Sequence, residues 1–279
     1  SSSDQTAASD APVAVLFSGG LDSTVLAALC DKELPEGIPI DLINVAFGDE
    51  KQTSAAPDRV TCLQSYEDLL KMAPTRPWRL VLVNIPKSEL EACMAEVAAL
   101  MFPNNTLMDI SISAPLWFAA RGIGISTEQP GQKFASPFVP FKSSAKVMLL
   151  GAGADEQFAG YGRHRVAFRR GGWQTLQDEL DKDIKRLWKR NLGRDDRVLS
   201  DHGKEARFPF LDADVMRWIS THFLSDLCDM ALPPGEGDKR ALRLVASKLG
   251  LTAASRLPKR AIQFGTKITK QMPKGKGTD

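Results

Sequence analysis

Six consecutive residues, Ser18-Gly19-Gly20-Leu21-Asp22-Ser23, lie directly after an apolar run and directly before a helical pattern. Glycines without Cβ atoms let backbone N–H groups approach phosphate oxygens closely. A helix starting near Ser23 would aim free N–H groups and partial positive charge at the same point. Ser18 and Ser23 add hydroxyl donors. Asp22 would repel phosphates unless a cation lay between them, and Mg²⁺, which shares carboxylate and phosphate oxygens, meets that need. A second glycine turn, Gly151-Ala152-Gly153-Ala154-Asp155-Glu156, leaves another apolar run. Neither turn supplies the Gly-x-x-x-x-Gly-Lys of a Walker loop, and Glu156 stands where a dinucleotide fingerprint needs its third glycine. If both turns lie on one sheet edge, Asp155 can face Asp22 and share one metal ion with it. A solvent-facing Asp-Glu turn is the alternative.

These turns need strands to hold them. Segments 12–17, 40–47, 80–85 and 147–150 read as buried strands, and 23–30 continues from the first as a helix. Ser88 is expected to open another helix, with Glu91 three residues on completing a capping box. Its apolar face is Leu90, Met94, Val97 and Met101, and Pro103 follows. Strand–helix–strand in this rhythm predicts an α/β fold, a doubly wound, mostly parallel sheet covered on both faces. Segment 126–144, rich in Pro, Gly, Ser and Gln, is expected as a mobile surface loop. After Gly160 strands are expected to stop, leaving a helical C-terminal extension over 161–270. Within it, segments 213–223 and 238–250 read as helices. Asp178 with Lys182 and Asp181 with Lys185 would pair one turn apart on a solvated face of a helix over 174–190.

The chain has 279 residues and a formal charge of +2, enough for one large α/β domain with a helical extension. Cys30, Cys62, Cys93 and Cys228 form no Cys-x-x-Cys pair, so free thiols are expected rather than a zinc site. No apolar run reaches the roughly 20 residues of a membrane-spanning helix. A cytoplasmic location is the expectation. Residues 1–11 read as a disordered linker downstream of another part, and 271–279 as a basic tail. That tail has lysines without interleaved aromatics, which argues against nucleic acid as a partner. His164, His202 and His222 share no motif; His202 is expected in a hydrogen-bonding structural role. Trp117 and Trp188 are expected as core or rim anchors.

The Ser18–Ser23 turn resembles the pyrophosphate loop of N-type ATP pyrophosphatases, which release PPi and transfer AMP. The block from Arg194 through Asp201-His202-Gly203-Lys204-Glu205-Ala206-Arg207-Phe208-Pro209-Phe210-Leu211-Asp212 is similar to a region of asparagine synthetases. The resemblance runs over residues 12–270. It implies an adenine nucleotide α-hydrolase-like fold, with the nucleotide-binding sheet in 12–160. It also implies that Ser18, Gly19, Gly20, Asp22 and Ser23 hold the pyrophosphate of ATP, together with Gly151 and Gly153 of the second turn. Asp22 and Asp155 would bind Mg²⁺. Backbone groups of 45–48, at Val45, Phe47 and Gly48, would read adenine. Asp155, Lys239 and Lys259 would be catalytic, with Lys259 meeting negative charge as an acyl adenylate forms and the amide closes.

Two departures from that pattern bear on substrate. Asparagine synthetases carry a glutamate at the position of Ala152, whose methyl cannot accept a proton. They also place an arginine near the Ser111-x-Ser113-x-Pro115 segment, and this stretch has none to grip a carboxylate. Aspartate is thus doubtful as the acid. The first cysteine is Cys30, so glutamine hydrolysis is expected from an N-terminal glutaminase domain or a partner subunit. Three readings stay open: a ligase joining a small-molecule carboxylic acid to an amine donor, a catalytically impaired ATP-binding or scaffolding module, and an RNA-modifying enzyme of the same loop class.

Overall fold

The computed structural model describes residues 10–135 and 137–272. Seven strands form one sheet: β1 (Val13–Leu16), β2 (Ile40–Phe47), β3 (Trp78–Ile85), β4 (Ile123–Thr127), β5 (Phe138–Lys142), β6 (Val147–Leu149) and β7 (Glu205–Arg207), in the order β5-β4-β3-β2-β1-β6-β7. The pairs β1–β2, β2–β3, β1–β6 and β6–β7 are parallel, while β3–β4 and β4–β5 are antiparallel. The chain order therefore runs one way from β1 through β2 and β3 and the other way through β6. Strands β1 and β6 flank the reversal, where crevices open at the carboxyl ends of strands.

The central strands are apolar on both faces. In β2, Ile40 and Leu42 join one core cluster while Ile43, Val45 and Phe47 join the other. Strand β3 repeats this, with Trp78, Leu80 and Leu82 against Val81, Val83 and Ile85. Such alternation buries a strand between two helical layers. The layers are α1 (Leu21–Glu33), α2 (Glu50–Ser54), α3 (Pro57–Met72), α4 (Lys87–Leu100) and α5 (Leu107–Arg121), with a short α6 (Ala154–Gln157) after β6. The extension contains α7 (Gly162–Leu187), a π-helical turn Trp188–Leu192, α8 (Gly193–Ser200), α9 (Ala213–Ser220), α10 (Leu224–Leu227), α11 (Arg240–Lys248) and α12 (Ile262–Gly265).

Several expectations are corrected. Strand β5 and the end of β4 occupy the segment expected as a mobile loop at 126–144. Pro140 sits in β5 because that strand is the sheet edge, where a missing N–H costs least. Strands do not stop at Gly160, since β7 pairs with β6. Ser88 does not cap α4. The Pro86 carbonyl already accepts from Glu89 and Leu90 N–H, so the helix begins at Lys87 with Ser88 inside its first turn. The pairs Asp178–Lys182 and Asp181–Lys185 do not form: Lys182 meets Glu179, and Gln174 and Gln177 donate to the two aspartates. Of the expected linker, Asp10 accepts from Ser144 Oγ at 2.8 Å and Ala11 is core; residues 1–9 lie outside the described residues. Of the expected tail, Gln271 is buried against Gln52, and 273–279 lie outside them. The four cysteines are free thiols. Among the described residues no helix is long and apolar enough to cross a membrane.

Candidate active site

The turn after β1 is braced from behind. Gly19 has φ +74°, and a Cβ there would overlap the backbone of Cys62 in α3. Thr61 Oγ1 donates to Ser18 O at 2.9 Å and Ser65 Oγ to Gly19 O at 2.6 Å. Gly19 thus serves close packing on α3. Gly20 is the N-cap of α1, and no side chain caps that helix, so its first N–H groups lack intrahelical partners. Ser18 Oγ accepts from Gly20 N–H at 3.2 Å.

After β6, a Cβ on Gly151 would stand 2.9 Å from the Cβ of Asp22, so the two turns touch. Gly153, at φ +95°, lies beneath Leu211 rather than in the crevice. Lys239, the N-cap of α11, places its ammonium between the two aspartates: Nζ is 2.6 Å from Asp22 Oδ2 and 2.7 Å from Asp155 Oδ1. Lys259 Nζ reaches Asp155 Oδ2 at 2.9 Å and lies 4.4 Å from the centre of the Tyr161 ring. Sequence therefore named the four charged members of this cluster, separated by up to 237 residues between Asp22 and Lys259.

The charges are unequal. Burial pushes the Asp155 carboxyl up, but two ammonium groups outweigh it and hold it down at about 2. Asp22 has one close lysine and a neighbouring carboxylate, so burial wins and its pKa rises. Burial opposes the charge of Lys239, yet the two aspartates more than offset this and keep it protonated. Glu156, bonded by Tyr161 Oη at 2.6 Å, is pushed up by burial.

Two joined cavities open here. The smaller, about 80 Å³, is bounded by Ser18, Gly20, Asp22, Ser23, Asp155, Lys239 and Lys259. The larger, about 460 Å³, continues past Val45, Gly151 and Ala152 to Ile112 and Pro115 of α5 and to α7 and α8. Val45 lines it, but Phe47 and Gly48 do not. The Phe47 ring packs on Phe118, its N–H donates to Thr266 O, and the Gly48 N–H donates to Ile85 O. Those backbone donors are committed.

Sequence reasoning missed the far wall. Asp183, Arg186, Leu187, Arg190, Asn191, Arg194 and Asp195 recur at helical spacing and line the larger cavity, so one face of the charged helix expected to be solvated is a cavity wall. That spacing was the available signal. An arginine does reach the Ser111 helix, from far along the chain: Arg194 Nη1 is 3.0 Å from Asp109 Oδ1 and Nη2 is 2.7 Å from Asp195 Oδ1. Burial raises Asp195 to about 6. Asp58, at the start of α3, borders both cavities, and burial raises it to about 7 despite Arg260 at 3.6 Å. Asn44 joins the wall by donating to Phe17 O at 2.9 Å. His202 rests on the Trp117 ring, its Nε2 unpartnered, while Trp117 Nε1 donates to Asp201; Trp188 is exposed.

A family model described as asparagine synthase matches residues 1–69. The chain is 42% identical, over 93% of its length, to asparagine synthetase domain-containing protein 1 of Gallus gallus, and 41% identical over the same share to that of Homo sapiens. It is 30% identical over 73% of its length to the putative asparagine synthetase [glutamine-hydrolyzing] 1 of Methanocaldococcus jannaschii, covering 31% of that protein. The chain spans about half the length of the curated relatives it matches, 46% for the chicken and human proteins. With the glycine turns and their shared charge cluster, these likenesses show that the chain belongs to the asparagine synthetase family.

Proposed function

We propose that the crevice binds Mg²⁺–ATP and transfers AMP to a carboxylic acid with release of PPi, the acyl adenylate then yielding an amide with an amine donor. The observation that supports this best is the sharing of one cation by Asp22 and Asp155 beside the uncapped start of α1. Carboxylates that already flank a cation suit Mg²⁺, which takes one or two protein carboxylates and completes its shell with phosphate and water oxygens. Asp22 and Asp155 would hold it, and its charge would be supplied between them and the phosphates.

On this reading the small cavity takes the pyrophosphate, against the backbone of the Ser18–Ser23 turn and its hydroxyls. Lys239 fixes both aspartates. Lys259, on Asp155 and over Tyr161, offers positive charge where the α-phosphate and acyl oxygen gain negative charge. Adenine would rest against Val45 and the β2 edge of the large cavity. The reversal of strand order at the site fits an adenine nucleotide α-hydrolase-like sheet.

ATP–PPi exchange tests the proposal. Exchange should appear with at least one member of a panel of amino acids and mono- and dicarboxylates, and should vanish in Asp22→Ala. Nucleotide binding with no exchange for any acid would favour an ATP-binding module instead, a reading that Ala152 supports because it provides no proton acceptor at that wall.

A further inference from the structure

Six cationic side chains border the larger cavity: Arg163, Arg186, Arg190, Arg194, Lys259 and Arg260. Four have a carboxylate partner: Arg163 with Asp183, Arg194 with Asp195, Lys259 with Asp155 and Arg260 with Asp58. Arg186 and Arg190 have no side-chain partner among the described residues. They stand one turn apart, and the π-helical turn Trp188–Leu192 begins between them. π-Helical turns are rare and frequently occur at functional sites.

The same cavity has an apolar wall as well. Ile112, Pro115 and Leu116 of α5 line it, with Met108 from the start of that helix and Leu187 from α7. Residues 108–116 of α5 include no cation, and Arg194, which reaches that helix from α8, is already held by Asp109 and Asp195. A ligand that reaches from Lys259 to the open arginines thus has positive charge for each of its ends and apolar side chains lining the same cavity.

We infer that the acid activated here carries a second anionic group at the far end of an apolar spacer, and that Arg186 and Arg190 bind that group. The inference rests on the proposed adenylation reading, since the near carboxylate must lie beside Lys259. It assigns α,ω-dicarboxylic acids with an aliphatic spacer as the substrate class. A short, polar diacid would leave the apolar wall uncovered. Paired guanidiniums favour such an end group because each can donate two parallel hydrogen bonds to it.

Calorimetric titration of adipate and of hexanoate into the 279-residue chain, saturated with Mg²⁺ and α,β-methylene-ATP, tests this. The two probes have equal chain length and differ in the second carboxylate. Wild-type protein should bind adipate about tenfold more tightly, as one net charge-assisted contact at a partly exposed site permits. The preference should fall to about onefold in the Arg186→Met/Arg190→Met double variant and return in part in the Arg→Lys pair. Both arginines are exposed, so loss of folding is not the expected result, and the melting temperature checks it. Equal binding of the two acids, no binding of either, or a preference that survives the double variant overturns the inference alone. Loss of nucleotide-analogue binding in the double variant overturns it too, by assigning the arginines to the nucleotide. Failure of the wild-type chain to bind the analogue overturns the proposed function, and this inference with it.

Discussion

Replacing Lys239 by methionine removes an ammonium whose side chain is 3% exposed and which serves two carboxylates at 2.6 and 2.7 Å. Breaking a buried ion pair from one side costs about 3–5 kcal/mol, because the remaining charge is left buried. Two features hold the cost to the lower end. Asp155 keeps Lys259 at 2.9 Å, and Asp22, its pKa already raised, can take up a proton. We expect Lys239→Met to lose about 3 kcal/mol at pH 7 and less at pH 3.5, below the 3.8 from which the Asp22 pKa is raised, where its protonation relieves the repulsion. Asp155 works in the opposite direction. Its pKa falls from 3.8 to about 2 on folding, so it contributes about 2 kcal/mol that is present above pH 4 and lost as pH drops through 2. That acid loss should shrink in the variant. Millimolar Mg²⁺ should recover much of the deficit if the two carboxylates can share a divalent cation. Urea unfolding at both pH values, with and without Mg²⁺, reads all of this. A variant within 1 kcal/mol of wild type at pH 7, or one indifferent to Mg²⁺, would refute the reasoning.

Gly19→Ala must strain a backbone at φ +74° and overlap the Cys62 backbone, so urea unfolding should show a loss above about 2 kcal/mol. Ser65→Ala, which removes only the 2.6 Å bond to Gly19 O, should cost about 1 kcal/mol and weaken nucleotide binding; unchanged affinity in calorimetry would show that this brace is not needed. Asp58 has a raised folded pKa of about 7, so its favourable contribution is complete below about pH 4 and is lost as pH rises through 7. Asp58→Asn should therefore exceed wild-type stability by about 4 kcal/mol at pH 8 and approach it at pH 4; a difference that does not change with pH contradicts this. Arg194→Met, which strands buried Asp195 and releases Asp109, should cost about 3 kcal/mol, with most of it recovered in the double variant that adds Asp195→Leu; no recovery would show that the pairing is not the cause.

What could be read from sequence was local in character. Ser18–Ser23 declared itself because strand, glycine turn and helix follow one another, and the apolar run over 40–47 coincides with β2. Asp155 was marked by its own glycine turn, but Lys239 and Lys259 needed the family resemblance, since spacing alone says nothing of residues that meet across 84 positions or more, as Asp155 and Lys239 do. Strands β5 and β7 were missed because edge strands tolerate proline and need little hydrophobicity. Helix α5 was not expected, since Pro115 breaks the usual helical pattern. Packing of Leu116, Trp117 and Phe118 in the core overrides that local preference. The cavity wall on α7 and α8 was hidden by its charge. Its arginines and aspartates look like a solvated face until the fold turns that face toward α5.

The most direct test of the account is a crystal structure of the chain with Mg²⁺ and α,β-methylene-ATP. The account predicts the β- and γ-phosphates against Gly20 and the start of α1, and one Mg²⁺ at about 2.1 Å from a carboxylate oxygen of both Asp22 and Asp155. A nucleotide bound elsewhere, or a metal that touches neither aspartate, would contradict it.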